Sequence, residues 1–230
     1  MAEYTSRSFD LLTLGQLLLR LSPPDNDRLS RGDTFVKQVG GAELNVAVGA
    51  SLLGLRTGVI SKLPSHDIGS FMKGKIRSFG VSDDFFMYDD SPSARVGIYY
   101  YENGAYPRKP KVIYDRMNSS FFSLNIDEIP KEVYTASKCF HTTGITLALS
   151  PQIRETTIEM IKRFKEAGTL VSFDVNFRGN LWSGDEAREC ILKILPYVDI
   201  FFCSEDTARL TFLKTGTAKE MMKSFTEEYP

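Results

Sequence analysis

Short β-branched and apolar runs alternate with stretches of helical period along nearly all of this chain. That alternation is the pattern of a parallel sheet whose strands are joined by helices that cover it. β-like runs lie at Phe9–Leu14, Gly58–Lys62, Lys138–Thr142, Leu170–Val175 and Asp199–Cys203. Between them, apolar spacing predicts helices over Glu43–Leu53, Asp67–Phe79, Pro151–Ala167, Asp185–Leu195 and Glu205–Leu213. The helix from Pro151 is the best punctuated: Ser150 can cap it, Pro151 suits its first turn, and Gly168 follows its last periodic residue. With 230 residues the chain is long enough to bury a sizeable core, and residues 1–230 are read as one α/β domain, a mostly parallel sheet flanked by helices.

Two stretches break the alternation. Residues 16–39 and 95–116 hold β-like segments joined by turn-rich connections, Ser22-Pro23-Pro24-Asp25-Asn26-Asp27 in one and Glu102-Asn103-Gly104-Ala105-Tyr106-Pro107 in the other. Neither has a helix between its strands, so a small antiparallel sheet outside the main one, a lid, is expected. Period-two alternation puts Gly97 with Tyr99 on one face, and Tyr114 with Arg116. Phenol hydroxyls beside a guanidinium suit a polyhydroxylated or anionic small molecule, although aromatics on a ribbon also serve as packing. Val96, Ile98 and Tyr100 fall on the other face and need cover, which a homodimer through the lids would supply.

Composition excludes several functions. The 28 basic and 29 acidic residues give a net charge of −1, which argues against nucleic acid or an anionic membrane as partner. Cys139, Cys190 and Cys203 are widely spaced within apolar stretches and read as buried, reduced thiols of a cytoplasmic protein. The run Leu11–Leu19 is too short to span a membrane, and the opening Met-Ala-Glu-Tyr-Thr-Ser-Arg lacks the order of a secretory signal. Gly69-Ser70-Phe71-Met72-Lys73-Gly74-Lys75 imitates a phosphate-binding loop, but Ile76 stands where a hydroxyl is required and the segment has helical period. His66, and Cys139 with His141, are too few and too scattered for a zinc site.

Two motifs carry more. In Gly40-Gly41-Ala42-Glu43-Leu44-Asn45 a glycine pair precedes a helix, which lets backbone approach a ligand at the helix amides; a tight turn before a close-packed helix has the same spelling. Asp174-Val175-Asn176-Phe177-Arg178 follows an apolar strand, and alternation places Asp174, Asn176 and Arg178 together at its carboxyl end, where open α/β sheets bind ligands. A solvated loop with a surface ion pair is the plainer reading of the same residues.

On these residues, with Thr143-Gly144-Ile145-Thr146 and Leu181-Trp182 in the same order, the sequence resembles the PfkB, or ribokinase-like, carbohydrate kinases, and most of all the 2-keto-3-deoxygluconate kinases. The resemblance implies a mostly parallel sheet with a β-lid, transfer of the ATP γ-phosphate with Mg2+, and a sugar acid as substrate. It implies that Gly41 and Asn45 contact sugar hydroxyls, that Tyr99 and Tyr114 line the lid side, and that Arg116 and Arg178 grip one carboxylate. A neutral ketose such as fructose, or a non-catalytic sugar-binding or dimerisation module, are the alternatives. The family's Asn-x-x-Glu element, which helps place magnesium and phosphates, corresponds to Ser204-Glu205-Asp206-Thr207, so Ser204, Glu205 and Asp206 are the nucleotide candidates. The family's Gly-Ala-Gly-Asp motif, which supplies the anion hole and the catalytic base, is absent from these 230 residues. No catalytic residue is therefore assigned, and the chain is expected to be the sugar-binding majority of a kinase, incomplete at its C-terminus.

Overall fold

The computed structural model describes residues 7–229, so the N-terminal segment read above for a signal lies, but for Arg7, outside the described residues. Along the first half run β1 (Phe9–Leu14), β2 (Leu18–Ser22), β3 (Val36–Gly40), α1 (Ala42–Leu52), β4 (Thr57–Pro64), α2 (Asp67–Ser78), β5 (Val81–Ser82), β6 (Phe86–Asp89), β7 (Gly97–Glu102) and β8 (Lys111–Asp115). The second half holds α3 (Val133–Ala136), β9 (Ser137–Thr143), α4 (Gly144–Ala148), α5 (Pro151–Glu166), β10 (Leu170–Asp174), α6 (Gly184–Ile194), β11 (Ile200–Phe202), α7 (Glu205–Leu210) and α8 (Ala218–Glu228). Contacts divide the chain into two compact units, one holding the residues up to Leu14 and from Asn125 onward, the other Gly15–Leu124.

In the first unit β1, β9, β10 and β11 pair side by side, all parallel. Parallel neighbours need crossover connections, and α5 supplies the one between β9 and β10. As its sequence predicts, α5 is capped by Ser150, whose hydroxyl accepts from the Ile153 amide, carries Pro151 in its first turn, and is followed by Gly168 at φ +70°. Its buried face brings Phe164 onto Phe140 of β9 as a stacked pair, ring centroids 4.1 Å apart, with Tyr134 edge-on at 5.1 Å. His141 of β9 is buried, its Nδ1 2.9 Å from the Ser172 hydroxyl, and burial holds its imidazole below the ordinary range. It is a packed core residue, as the absence of converging ligands suggests. Cys190 is buried as expected, but Cys139 and Cys203 are only partly covered; all three are free thiols, and burial pushes Cys139 and Cys203 up to about 11.

In the second unit β4 pairs in parallel with β5 and β6. The glycine-rich imitation of a phosphate loop lies inside α2, where a Cβ on Gly69 would stand 1.9 Å from the Pro64 carbonyl oxygen. The four lid strands form a sheet in the order β3-β2-β7-β8. This sheet is mixed, where the sequence reading expects an antiparallel one: β2–β3 and β7–β8 are antiparallel, but β2 and β7 run parallel. The chain between β2 and β7 passes through two helices, and so long a connection frees the second ribbon to enter in either direction.

Alternation along β2, β3 and β7 sends Leu19, Leu21, Val39 and Ile98 onto a core that includes Leu17, Leu44, Met72, Ile76 and Val96. Val96 and Ile98 are thus covered within the chain, by a core drawn from α1, β4 and α2 among others, which corrects the expectation that a second copy must cover them. Tyr100 meets Phe35 edge to face at 6.0 Å. No helix among the described residues is long and apolar enough to cross a membrane.

Removing the ring that stacks between α5 and β9 tests this packing. Phe164→Ala leaves a void against Phe140 and Tyr134 and is expected to cost about 3–5 kcal/mol, read by chemical denaturation. A loss under about 1 kcal/mol would show that the ring is not the core element described here.

Candidate functional site

Strand register builds a polar row across the four-stranded sheet. Gln38 of β3 stands opposite Arg20 of β2, Arg20 opposite Tyr99 of β7, and Tyr99 opposite Tyr114 of β8. Residues opposite one another share a face, so four strands place an amide, a guanidinium and two phenols on the side away from the apolar core. The Tyr99 and Tyr114 rings lie 5.9 Å apart, and the Arg116 guanidinium carbon is 5.6 Å from the Tyr114 ring centre. The shared face of Gly97, Tyr99, Tyr114 and Arg116 read from parity is therefore present. Arg20 also stacks over Tyr101, 4.2 Å from its ring centre, and its Nε donates to the Ser22 hydroxyl at 2.9 Å.

The glycine pair has a steric reason. Gly40 ends β3, and a Cβ there would lie 2.6 Å from the Tyr99 hydroxyl oxygen. Only glycine lets that phenol rest against the backbone leading into α1. Gly41 is the N-cap of α1, and a Cβ on it would meet the Gln16 carbonyl oxygen at 2.9 Å. Asn45 follows in α1, solvent-exposed, its amide bonded to the Gly41 carbonyl at 3.0 Å. Glu43 is by contrast buried, its carboxylate standing where a Cβ on Gly15 would be.

Burial pushes the Tyr99 phenol above its ordinary value, and the Arg20 charge and hydrogen bond oppose that shift. Tyr99 therefore stays a neutral donor across the physiological range. Sequence reasoning passed over Arg20 and Gln38. The signal was available, because Leu19 and Leu21 alternate with Arg20 and Ser22.

In the other unit, Asp174 closes β10 and its carboxylate accepts from the Asn176 amide at 3.0 Å. Asn176 adopts φ +37°, which ends the extended alternation. The expected grouping of Asp174, Asn176 and Arg178 on one strand face is corrected accordingly: the strand stops at Asp174, and Arg178 is exposed, its Nη1 bonded to the Phe177 carbonyl at 2.9 Å. Ser204 caps α7, accepting from the Thr207 amide and donating to the Thr207 hydroxyl at 2.9 Å. Glu205 and Asp206 are exposed in the first turn, with Glu205 3.7 Å from Arg209. Magnesium bound with a nucleotide takes one or two protein carboxylates together with phosphate oxygens; consecutive helix residues do not face one another, so Glu205 or Asp206 would supply one such carboxylate rather than both together.

The Tyr99 environment is testable without a ligand. In 13C-tyrosine spectra the Tyr99 phenol should titrate above the ordinary phenol range, and Arg20→Gln should move it higher still. A downward move would overturn the account of Arg20.

Residues 8–228 match the family described as pfkB family carbohydrate kinase. The chain is 36% identical over 220 residues to the 2-dehydro-3-deoxygalactonokinase of Haloferax volcanii, covering 96% of this chain and 68% of that relative. Its fold superposes with a TM-score of 0.89 on the crystal structure of 2-dehydro-3-deoxygluconokinase from Thermotoga maritima, 31% identical, over 96% of this chain and 69% of that one. An uncharacterized sugar kinase from Pyrococcus horikoshii, solved in complex with ATP, matches with a TM-score of 0.76 at 26% identity, over 88% of this chain and 66% of its own. The chain thus spans about two thirds of the length of these relatives. It belongs to the pfkB family of carbohydrate kinases.

Proposed function

We propose that this chain binds a sugar acid of the 2-keto-3-deoxygluconate type, as the substrate-holding part of a kinase that transfers the ATP γ-phosphate to a sugar hydroxyl. The observation that carries the reading is the polar face of the four-stranded sheet, where Tyr99 and Tyr114 lie side by side, Arg20 stands opposite Tyr99 in register and the Arg116 guanidinium lies beside Tyr114. A guanidinium pairs with a carboxylate through two parallel hydrogen bonds, whereas a neutral hexose offers it no such partner. The names of the galactonate-type and gluconate-type relatives point the same way.

In this reading Gly41 and Asn45 meet sugar hydroxyls at the start of α1, and Tyr99 and Tyr114 hold the sugar from the sheet. Arg116 takes the carboxylate. Arg178, assigned by the motif it ends, is to be tested by itself. Phosphoryl transfer demands in-line placement of the hydroxyl, neutralised phosphate charge and a base. The residues named here supply only the placement. A nucleotide would bring the phosphoryl group with magnesium, and Ser204, Glu205 and Asp206 are the residues proposed to meet them. The Gly-Ala-Gly-Asp element is not among these 230 residues, so the base is unassigned. Free thiols agree with a cytoplasmic setting. A homodimer through the lids is retained on the exposed Val112 and Ile113 of β8, and a monomeric mass in sedimentation would count against it.

Two measurements test the proposal. Calorimetry should show 2-keto-3-deoxygluconate bound at least about tenfold more tightly than fructose, with Arg116→Ala, and separately Arg178→Ala, weakening the acid about thirtyfold. Equal affinity for fructose would favour a neutral ketose. The 230-residue chain should bind the acid without sugar-dependent ATP turnover, since losing even one oxyanion donor costs about 10²–10³ in rate. Turnover would place the base within this sequence.

A further inference from the structure

Arg20 lies in the middle of β2, where Leu19 and Leu21 turn into the core and so hold its side chain on the polar face. Its register neighbours are Gln38 on β3 and Tyr99 on β7, with Tyr114 of β8 next in the row. No carboxylate stands in that row. Among the described residues the guanidinium meets neutral groups only. The Ser22 hydroxyl accepts from Nε at 2.9 Å, the Tyr101 ring centre lies 4.2 Å from the central carbon, and the Tyr99 phenol takes a hydrogen bond. Ser22 is buried and Arg20 partly buried. A cation drawn out of water without a counter-charge is unfavourable until an anion reaches it.

A guanidinium has five N–H donors in one plane. Ser22 uses the donor on Nε and Tyr99 one other, so the terminal nitrogens keep donors for a ligand. Stacking on Tyr101 sets the tilt of the plane, and the bond to Ser22 sets its rotation. The group is therefore oriented before any ligand binds, which lowers the ordering that binding would otherwise require.

We propose that Arg20 is a specificity-determining residue, which reads the charge of the sugar acid by donating from its terminal nitrogens to the carboxylate, beside the Tyr99 hydroxyl. The proposal rests on the sugar-acid reading above. It calls for a planar fork, since lysine would bring charge without paired donors or a flat face for Tyr101. A neutral ketose would leave the guanidinium uncompensated, so Arg20 favours the acid over the ketose.

Calorimetry on the 230-residue chain, with 2-keto-3-deoxygluconate and fructose as probes, tests this. Arg20→Met keeps the length and the cover over Tyr101 but has no charge. It should weaken the acid at least about tenfold and fructose less than about twofold. Arg20→Lys should recover only part of the acid affinity. Equal losses for both probes in Arg20→Met would make Arg20 a packing residue and overturn the proposal. A second measurement needs no variant: in 15N spectra of the native chain, the acid should shift the Arg20 Nε resonance and fructose should not. A resonance unmoved by acid that calorimetry shows to be bound would overturn the proposal even where no variant folds. If the native chain binds the acid no more tightly than fructose, the sugar-acid reading fails and this proposal with it. If the native chain prefers the acid and Arg20→Met keeps that preference, the role of Arg20 alone fails.

Discussion

The parallel pairing of β2 with β7 is the contact on which the site depends. It brings Leu18 beside Gly97 and Arg20 beside Tyr99, joining two ribbons that are distant in sequence into one sheet. Each ribbon alone is a two-stranded hairpin, and such hairpins are marginal in water. Joined, they bury Leu19, Leu21, Val39 and Ile98 on a common core, and the free energy of that burial holds the opposite face in register. A slip of one residue in β2 would send Arg20 into the core and Leu19 or Leu21 to the polar face.

The polar face also requires the absence of side chains. At Gly40 and Gly97 the phenol of Tyr99 and the amide of Gln16 occupy volume that a Cβ would claim. Glycine in a strand weakens it, so its use at two adjacent points of one sheet is a cost accepted for close approach of functional groups. Tyr99 consequently lies ring to ring with Tyr114, Arg116 beside Tyr114 and Arg20 over Tyr101, without filling the face with aliphatic bulk. The same economy holds at Gly41, where the Gln16 carbonyl comes close to the start of α1.

Away from that sheet, the element between Thr217 and Glu228 shows how local signals are missed. Thr217 and Glu220 form a reciprocal capping box, and Met221 and Phe225 follow at helical spacing. That signature is legible in the sequence, but the segment lies beyond the last strand of the alternating pattern, which therefore does not predict it. The turn of α4 after β9 was missed for a different reason. Gly144–Ala148 is short and apolar, and in so brief a run periodicity does not separate helix from strand.

The order of strands and helices was determined by the sequence itself, because burying one face of a sheet or helix imposes a period of two or 3.6 that can be read residue by residue. So were the cap of α5, the helical fate of the false phosphate loop, and the shared face of Tyr99 and Tyr114, all of which follow from spacing within one element or one hairpin. Tertiary structure alone decided the parallel entry of β7 beside β2, the cover over Val96 and Ile98, the end of strand alternation at Asn176, and the hold of Gln16 on Arg116. Each of these is a contact between residues far apart along the chain, or a backbone angle at a junction. Local pattern carries no record of which distant side chain fills the remaining space, since that choice is made only when the packed elements compete for one volume.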